Sequence, residues 1–217
     1  MRHAFVETNW VVAFTAPAHL QMAAAAQLAD AASKGELRLH LPAVSLTEAR
    51  NPVRTKFQPR STADSLRKYL GWATSAGKVS VPRADTVRLV LDQYEATVSA
   101  ELEELDGRLQ SLALHPGIEV FALTDQMLSR SIELSTLNLD LKPFDQAILA
   151  AVLVRAEGLR NDGKREIAFC ELDSDLQPWD RNGRTKQPLT TLYDSAHISV
   201  YGDFAMENPP RRPTFPE

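Results

Sequence analysis

Five carboxylate side chains of this 217-residue chain have the chemistry to bind a hard metal cation together. They are Glu7, Glu48, Asp145, Asp173 and Asp175. Carboxylates gathered in one small volume repel one another, and they stay ionised together only when a cation compensates their charge. Because Mg²⁺ and Mn²⁺ prefer oxygen ligands, we expect one of these ions as the cofactor of such a site.

The sequence pattern predicts an α/β fold that would bring these residues to one edge of a sheet. Short apolar segments alternate with helical ones, which is typical of a three-layer α/β/α sandwich with a central, mainly parallel sheet. The predicted strands cover residues 3–6, 37–41, 118–121, 167–170 and 198–201. Ligands of open parallel sheets bind at the carboxyl ends of the strands. Glu7, Asp173 and Asp175 would lie at this edge, and the other two carboxylates would reach it from nearby helix starts.

Helices are predicted between the strands of one domain that spans residues 1–206. Their ranges are 18–34, a helix that starts at the capping box of Ser45 and Glu48 and is disturbed at Pro52, 61–76, one helix or two broken near Gly107 over 85–112, 124–137 and 144–157. Residues 60–112 form an added helical segment, and 175–196 are polar and rich in turns. With four prolines, residues 207–217 are expected to form an extended or disordered tail.

Most of the carboxylates also have a structural explanation when each is considered alone. The alternatives are a capping box with Ser45 for Glu48, the positive end of a helix for Asp145, and solvated turns for Asp173 and Asp175. Glu7 has no such explanation, since Thr8 or Asn9 would cap the following helix better. The combination of all these positions therefore favours the metal site.

Composition and motifs exclude several other classes of protein. The sequence has 24 Lys plus Arg against 28 Asp plus Glu, a net charge of −4. This composition does not indicate a strongly basic surface for nucleic-acid binding. The single cysteine, Cys170, excludes disulfide frameworks and cysteine-rich zinc sites, and we expect it in the core. No dinucleotide fingerprint, serine-hydrolase elbow or zinc-protease motif is present, and the G-x-x-x-x-G-K match at 158–164 continues with Arg165 and leads into a strand. No membrane span or export signal is evident, so a cytoplasmic location is expected.

Four segments resemble, in the same order, those of the PIN-domain nucleases, a family that includes the VapC-like toxins of toxin–antitoxin pairs. Residues 5–9, Phe-Val-Glu-Thr-Asn, resemble its opening Asp-Thr-Asn/Ser, and residues 41–50 resemble its second block, which ends in Glu-Ala or Glu-Leu. Residues 141–151 resemble its Asp-Ala-Leu-Ile-Ala-Ala helix, and residues 172–176 resemble its T-x-D-x-D-F segment. The resemblance covers residues 3–176 and the last predicted strand.

The resemblance implies a PIN-like fold and an endoribonuclease that hydrolyses RNA phosphodiester bonds with Mg²⁺ or Mn²⁺. Glu7, Glu48, Asp145 and Asp173 would be the catalytic metal ligands, and Asp175 would bind a second ion or support the first site. The resemblance further implies RNA as the substrate, an antitoxin protein that blocks the acidic cleft, and a homodimer.

Two departures from the family pattern leave alternatives open. Glu7 stands where the family has aspartate, and Glu171 stands where it has threonine. The alternative is therefore a PIN-like module without catalytic activity that binds RNA or protein, and hydrolysis of DNA or of a small phosphate ester is a third hypothesis. Basic residues after Glu48 could grip phosphates or form an ordinary solvated face: Arg50, Arg54, Lys56, Arg60, Arg67 and Lys68.

Overall fold

A five-stranded parallel sheet forms the centre of the computed structural model, which describes residues 1–207. The strands are β1 (Arg2–Phe5), β2 (Leu37–Pro42), β3 (Ile118–Phe121), β4 (Ile167–Cys170) and β5 (Ser199–Tyr201). The neighbours in the order β3-β2-β1-β4-β5 all pair in parallel. The predicted α/β class is confirmed, and the sheet is entirely parallel. Residues 208–217, which make up most of the predicted tail, lie outside the described residues.

Helices flank the sheet, an arrangement compatible with a three-layer sandwich. They are α1 (Thr8–Thr15), α2 (Ala23–Ser33), α3 (Ala43–Lys56), α4 (Pro59–Ser75), α5 (Val81–Glu103), α6 (Leu105–Ala113), α7 (Asp125–Ser135), α8 (Pro143–Asn161) and α9 (Leu189–Ala196). Successive strand residues point to opposite faces of a sheet. Ala4 and Ala168 therefore join one apolar core, whereas Phe5 and Phe169 join a second core with α7, α8 and α9.

The strand order places a ligand crevice between β1 and β4. From β1 the chain runs outward through β2 to β3, and it then returns to the other side of β1 to add β4 and β5. Such a reversal opens a crevice outside the carboxyl ends of the two central strands, where α/β proteins bind ligands. The residues that follow these two strands closely are Glu7 and Glu171.

Helix α3 begins earlier than the capping-box prediction and also continues further. It starts at Ala43 directly after β2, and the hydroxyl of Ser45 is buried with no hydrogen-bond partner. The helix also continues through Pro52, because one missing amide hydrogen bond can be tolerated where the surroundings favour the helix. Glu48 therefore lies inside the helix, and the capping-box explanation for this residue is wrong.

The added helical segment consists of α4, α5 and α6. Of the two alternatives for residues 85–112, the structure has two helices, and the break between them lies at Glu104, three residues before Gly107. Leu70 of α4 is buried, whereas Leu66 and Tyr69 of the same helix are about half exposed. These side chains stay exposed because α4 packs mainly on α5 and no further layer covers it.

Three further helix predictions differ from the structure. The predicted helix 18–34 starts only at Ala23, after a short 3₁₀ turn at Ala18–Leu20, and α8 continues past Gly158 to Asn161. Helix α9 lies in the segment that was predicted to be turn-rich. Among the helices of residues 1–207, none combines the length and apolar character that crossing a bilayer requires.

Candidate functional site

Glu7 follows β1 and caps helix α1, which corrects the expectation that it has no capping role. Its backbone is still extended, at φ −134° and ψ −161°, and its Oε1 accepts a hydrogen bond of 2.7 Å from the Asn9 amide. Thr8 already belongs to the helix, so Glu7 is the last residue with the backbone geometry that a cap requires. The side chain is buried at the crevice.

Glu48 reaches the same edge from the second turn of α3. The Thr8 hydroxyl donates a hydrogen bond to Glu48 Oε2 and thereby joins the start of α1 to α3. Glu48 is half-buried. A residue directly after Glu7 therefore holds the second predicted ligand next to the first.

Glu171 is a site residue that the sequence analysis recorded only as a departure from a family pattern. It follows β4 directly and is fully buried. Its Oε1 accepts hydrogen bonds from the Asp173 amide at 2.6 Å and from Asn9 Nδ2 at 3.5 Å, whereas its Oε2 has no partner. A carboxylate directly after a buried strand, like Glu7 two residues after β1, was the signal that could have identified it.

Asp173 and Asp175 lie in the turn that follows Glu171. Asp173 Oδ1 accepts a hydrogen bond of 2.9 Å from the Asp175 amide. Asp173 is half-buried, whereas Asp175 is exposed. Lys186 Nζ donates to the carbonyl oxygens of Ser174 and Asp175 and holds this turn from outside. The solvated-turn alternative fits Asp175 better than Asp173.

Asp145 enters the site from the first turn of α8. It is the third residue of the helix, where the helix dipole favours a negative charge, so this structural explanation applies. The dipole does not supply a hydrogen-bond partner, however, and Asp145 Oδ2 is buried without one. Burial raises the pKa values of Asp145 and Glu48, and the charge of Lys142, the exposed residue before the helix, partly opposes this rise.

Burial and mutual repulsion raise the pKa values of the carboxyl groups at this edge. Burial, together with the charges of Glu48, Asp173 and Asp145, raises the pKa of Glu7 to about 8 against the opposing effect of the Asn9 hydrogen bond. Burial also raises the pKa values of Glu48 and Asp145. The predicted carboxylates therefore lie close enough to disturb one another.

The remaining electrostatic contacts connect Glu171 and Asp175 to the same group. Burial and the Glu7 charge raise the pKa of Glu171 well above its usual range. The charges of Asp173 and Asp175 contribute to the raised pKa of Asp145. All five carboxylates of the sequence prediction, together with Glu171, thus belong to one electrostatically connected cluster, which we call the acidic edge.

The acidic edge has oxygen donors that suit a hard cation, but these donors do not form a complete coordination site. Its oxygen donors suit Mg²⁺ or Mn²⁺, and Asp145 Oδ2 and Glu171 Oε2 are buried acceptors without partners. Within residues 1–207, no three His, Cys, Asp or Glu side chains are arranged to hold a metal ion. Side chains of the edge would have to turn toward one another to enclose one.

Three of the basic residues that follow Glu48 in the sequence form ion pairs with carboxylates of the protein itself. Arg50 forms two hydrogen bonds with Asp106, at 2.8 and 2.7 Å, and Arg54 lies 3.4 Å from the same carboxylate. Arg67 is paired with carboxylates of α4 and α5. These pairs favour a solvated structural face for the three arginines and leave Lys56, Arg60 and Lys68 for a phosphate-binding role.

Comparisons with known proteins were made at three levels. No family model, no curated protein and no solved structure matches the chain.

Proposed function

We propose that the protein is a Mg²⁺- or Mn²⁺-dependent endoribonuclease with a PIN-like acidic site. The observation that carries the proposal is the clustering of carboxyl groups at the carboxyl ends of β1 and β4, where burial and mutual repulsion raise the pKa values of four of them and a bound cation would favour the ionised forms. Asp145 Oδ2 and Glu171 Oε2 lack partners, and the pKa of Glu7 is raised to about 8. Unsatisfied buried carboxylates are costly and are concentrated at functional sites, where a ligand compensates them.

The residues of the acidic edge divide into ligands and supports. Glu7, Glu48, Asp145 and Asp173 would hold the ion, and Asp175 at the exposed rim would serve a second ion. When bound, the cation would polarise the phosphoryl oxygens and lower the pKa of a water molecule. Glu171 supports the ligands, because its Oε1 binds both the Asp173 amide and Asn9.

RNA is the proposed substrate, and Lys142 is the exposed cation best placed to meet its phosphate. Lys142 lies one turn before Asp145 and acts electrostatically on both Asp145 and Glu48. A toxin role, with a small antitoxin protein that covers the acidic edge and a cytoplasmic location, belongs to the same proposal. It derives from the sequence resemblance.

A PIN-like module that binds RNA or protein without cleaving RNA is the second candidate. Two observations favour it. Glu7 Oε1 is already used as a helix cap, and no three-ligand metal group is preformed within residues 1–207. Under this alternative the acidic edge would bind a basic partner instead of a cation and a phosphate.

Cleavage of RNA by the wild type and by Asp145→Asn, with Mg²⁺, Mn²⁺ or a chelator, separates the two candidates. We expect cation-dependent cleavage by the wild type and loss of cleavage in the variant. Asp125→Asn is the matched control, because Asp125 is also an acidic residue in the first turn of a helix but is exposed. Equal residual cleavage by wild type and Asp145→Asn would contradict the nuclease proposal. A panel with single-stranded DNA and an aryl phosphate tests the third hypothesis.

A further inference from the structure

Helices α4 and α5 form a hairpin with a continuous exposed apolar face. Helix α4 packs mainly on α5, and α5 also contacts α6 at the base of the hairpin. Large apolar side chains that remain between about 40 and 65% exposed form this face: Leu66, Tyr69, Trp72, Val87 and Val90. The rings of Tyr69 and Trp72 pack against each other, with centroids 5.8 Å apart.

Helical geometry shows that these residues share one side of the hairpin. Successive residues turn about 100° around a helix, so Val90 and Asp92 lie on opposite sides of the buried Leu91. On α4, Tyr69 and Arg67 are separated in the same way. Because Arg67 bonds to Asp92 at 2.6 Å, these two residues mark one face, and Tyr69 and Val90 lie together on the other.

Charged residues of the hairpin are concentrated on the face opposite the apolar face and along the outer edge of that charged face. They are Asp64, Arg67, Lys68, Asp85, Arg88, Asp92 and Glu95. On the apolar side, Arg83 lies near the tip of the hairpin and Glu101 near its base. At the base, His19 packs edge-to-face on Tyr94 and the Ala18 amide donates to Glu101 at 2.7 Å, so the rest of the chain covers this end. The outer part is left open.

The charge pattern favours a second copy of this chain as the occupant of the open part. A nucleic acid would need cations at the centre of the face, whereas the polar neighbours there are uncharged hydroxyl residues such as Thr62 and Thr86. In a two-fold contact the same patch meets itself, so a patch without central charge creates no repulsion.

The exposed apolar area of the hairpin is close to the area that a dimer interface with a second copy of this chain would need. Aromatic side chains contribute about 150–250 Å² each when fully exposed, so the open parts of the five apolar residues amount to roughly 600 Å². A standard interface buries about 800 Å² on each partner, and the flanking hydroxyl residues can supply the difference. A patch of this size is at the upper end of what a monomer leaves exposed.

We propose that the apolar face of the α4–α5 hairpin is a homodimer interface, in which two hairpins pack as an antiparallel four-helix bundle. The sequence resemblance implied a homodimer without any surface for it, and the hairpin supplies the surface. The proposed interface depends only on the hairpin, so a test of the proposed ribonuclease activity neither supports nor contradicts it.

Sedimentation equilibrium of the full chain tests the interface with two adjacent substitutions. Val90 is 63% exposed on the apolar face, and Leu89 is 70% exposed away from it. We expect wild type and Leu89→Arg to sediment at twice the chain mass of 24.1 kDa at about 10 µM, and Val90→Arg to sediment as a monomer with its helix content unchanged. A monomeric wild type, or equal effects of the two substitutions, would overturn the proposal.

Cysteine cross-linking provides a second readout that does not depend on weakening the interface. The sequence has one cysteine, Cys170, and it is buried, so an introduced surface cysteine would be the reactive one. We expect a short thiol cross-linker to join Val90→Cys chains into covalent dimers and to leave Leu89→Cys chains single. Cross-linking of Leu89→Cys in preference to Val90→Cys would place the contact on the opposite face and contradict the proposal.

Discussion

The sheet carries two buried polar clusters, and only one of them contains charges of both signs. The acidic edge gathers carboxylates at the carboxyl ends of β1 and β4. The second cluster lies on the face of the sheet that α8 covers. There, His3 Nδ1 and His40 Nε2 are 2.9 Å apart, His40 Nδ1 lies 3.1 Å from Glu119 Oε2, and Arg155 donates to Glu119.

The comparison shows what distinguishes a structural polar network from a site that needs a ligand. In the histidine cluster Arg155 compensates Glu119, and burial lowers the pKa of His40 to about 3, so that its imidazole stays neutral. At the acidic edge the cation whose charge acts on both Glu48 and Asp145 is the exposed Lys142. The histidine cluster contains its own cation, although His3 Nε2 and Arg155 Nε make no hydrogen bond and His40 Nδ1 contacts Glu119 without hydrogen-bond geometry. The acidic edge, in contrast, consists of carboxyl groups alone.

The largest expected effect is a loss of stability at the acidic edge as pH rises. The Glu7 carboxyl has a folded-state pKa of about 8 against 4.5 in the unfolded chain, so its contribution is fully present below pH 4.5 and is lost as pH rises through 8. At 1.36 kcal/mol per pKa unit, this amounts to about 5 kcal/mol. Urea unfolding of the cation-free protein should show a slope of this sign. Glu7→Gln should reduce the slope, and the raised pKa values of Glu48, Asp145 and Glu171 should keep part of it.

A control variant and an added cation make the measurement of stability against pH more specific. Glu36→Gln changes an exposed glutamate before β2 and should leave the slope intact. Mg²⁺ or Mn²⁺ should stabilise the wild type more at pH 8 than at pH 5, because ionised carboxylates bind the cation and protonated ones do not. An identical slope in Glu7→Gln and wild type would show that the raised pKa of Glu7 is not responsible.

The histidine cluster should have the opposite pH dependence. Because the folded-state pKa of His40 is about 3 against 6.5 unfolded, its contribution is present above pH 6.5 and is lost as pH falls toward 3. Between pH 6.5 and 4 the loss should be about 3 kcal/mol. His40→Phe should flatten this limb of the stability curve, whereas His19→Phe, at an exposed position, should not. Because the Glu7 and His40 contributions have opposite slopes between pH 4.5 and 6.5, the comparison is made in a Glu7→Gln background. Equal acid limbs with and without His40→Phe in that background would refute the assignment.

Sequence patterns predicted the sheet better than the details of the site. Strands Ile118–Phe121 and Ile167–Cys170 agree to the residue, because their short length and their β-branched and aromatic residues favour a strand over a buried helix. The role of Glu7 as a helix cap was missed, since which residue is the last extended one depends on how the chain leaves β1. Likewise, β2 passes into α3 at Pro42 without the capping box of Ser45 and Glu48.

Asp173 was predicted as a site residue from the sequence, whereas the role of Glu171 was missed. Asp173 belongs to a pattern of alternating acids that is visible along the chain. The importance of Glu171 comes from its burial beside Glu7, on a neighbouring strand that is distant in sequence. The pairing of β1 with β4 creates this contact, and periodicity along one segment does not reveal it.

A smaller effect is expected when the cation of the histidine cluster is removed. Arg155→Met would leave the partly buried Glu119 beside the histidines without its counter-charge. Removing one partner of a buried pair costs about 3–5 kcal/mol, but both side chains are about one-third exposed, so we expect about 1–2 kcal/mol. Thermal unfolding at pH 7 measures it, and Arg155→Met with Glu119→Gln should recover part of the loss. Additive losses in the double variant would contradict the pairing.

The smallest effect is expected when the exposed cation of the acidic edge is removed. Lys142→Gln should change stability little, because Lys142 is exposed, but it should weaken RNA binding by roughly 3–10-fold and reduce the salt slope by about 1. Binding to the Asp145→Asn variant, with and without Lys142→Gln, keeps the measurement free of cleavage. Lys78→Gln, at an exposed lysine between α4 and α5, is the control. An unchanged salt slope would mean that the phosphate does not approach the acidic edge from the start of α8, although cleavage itself could persist.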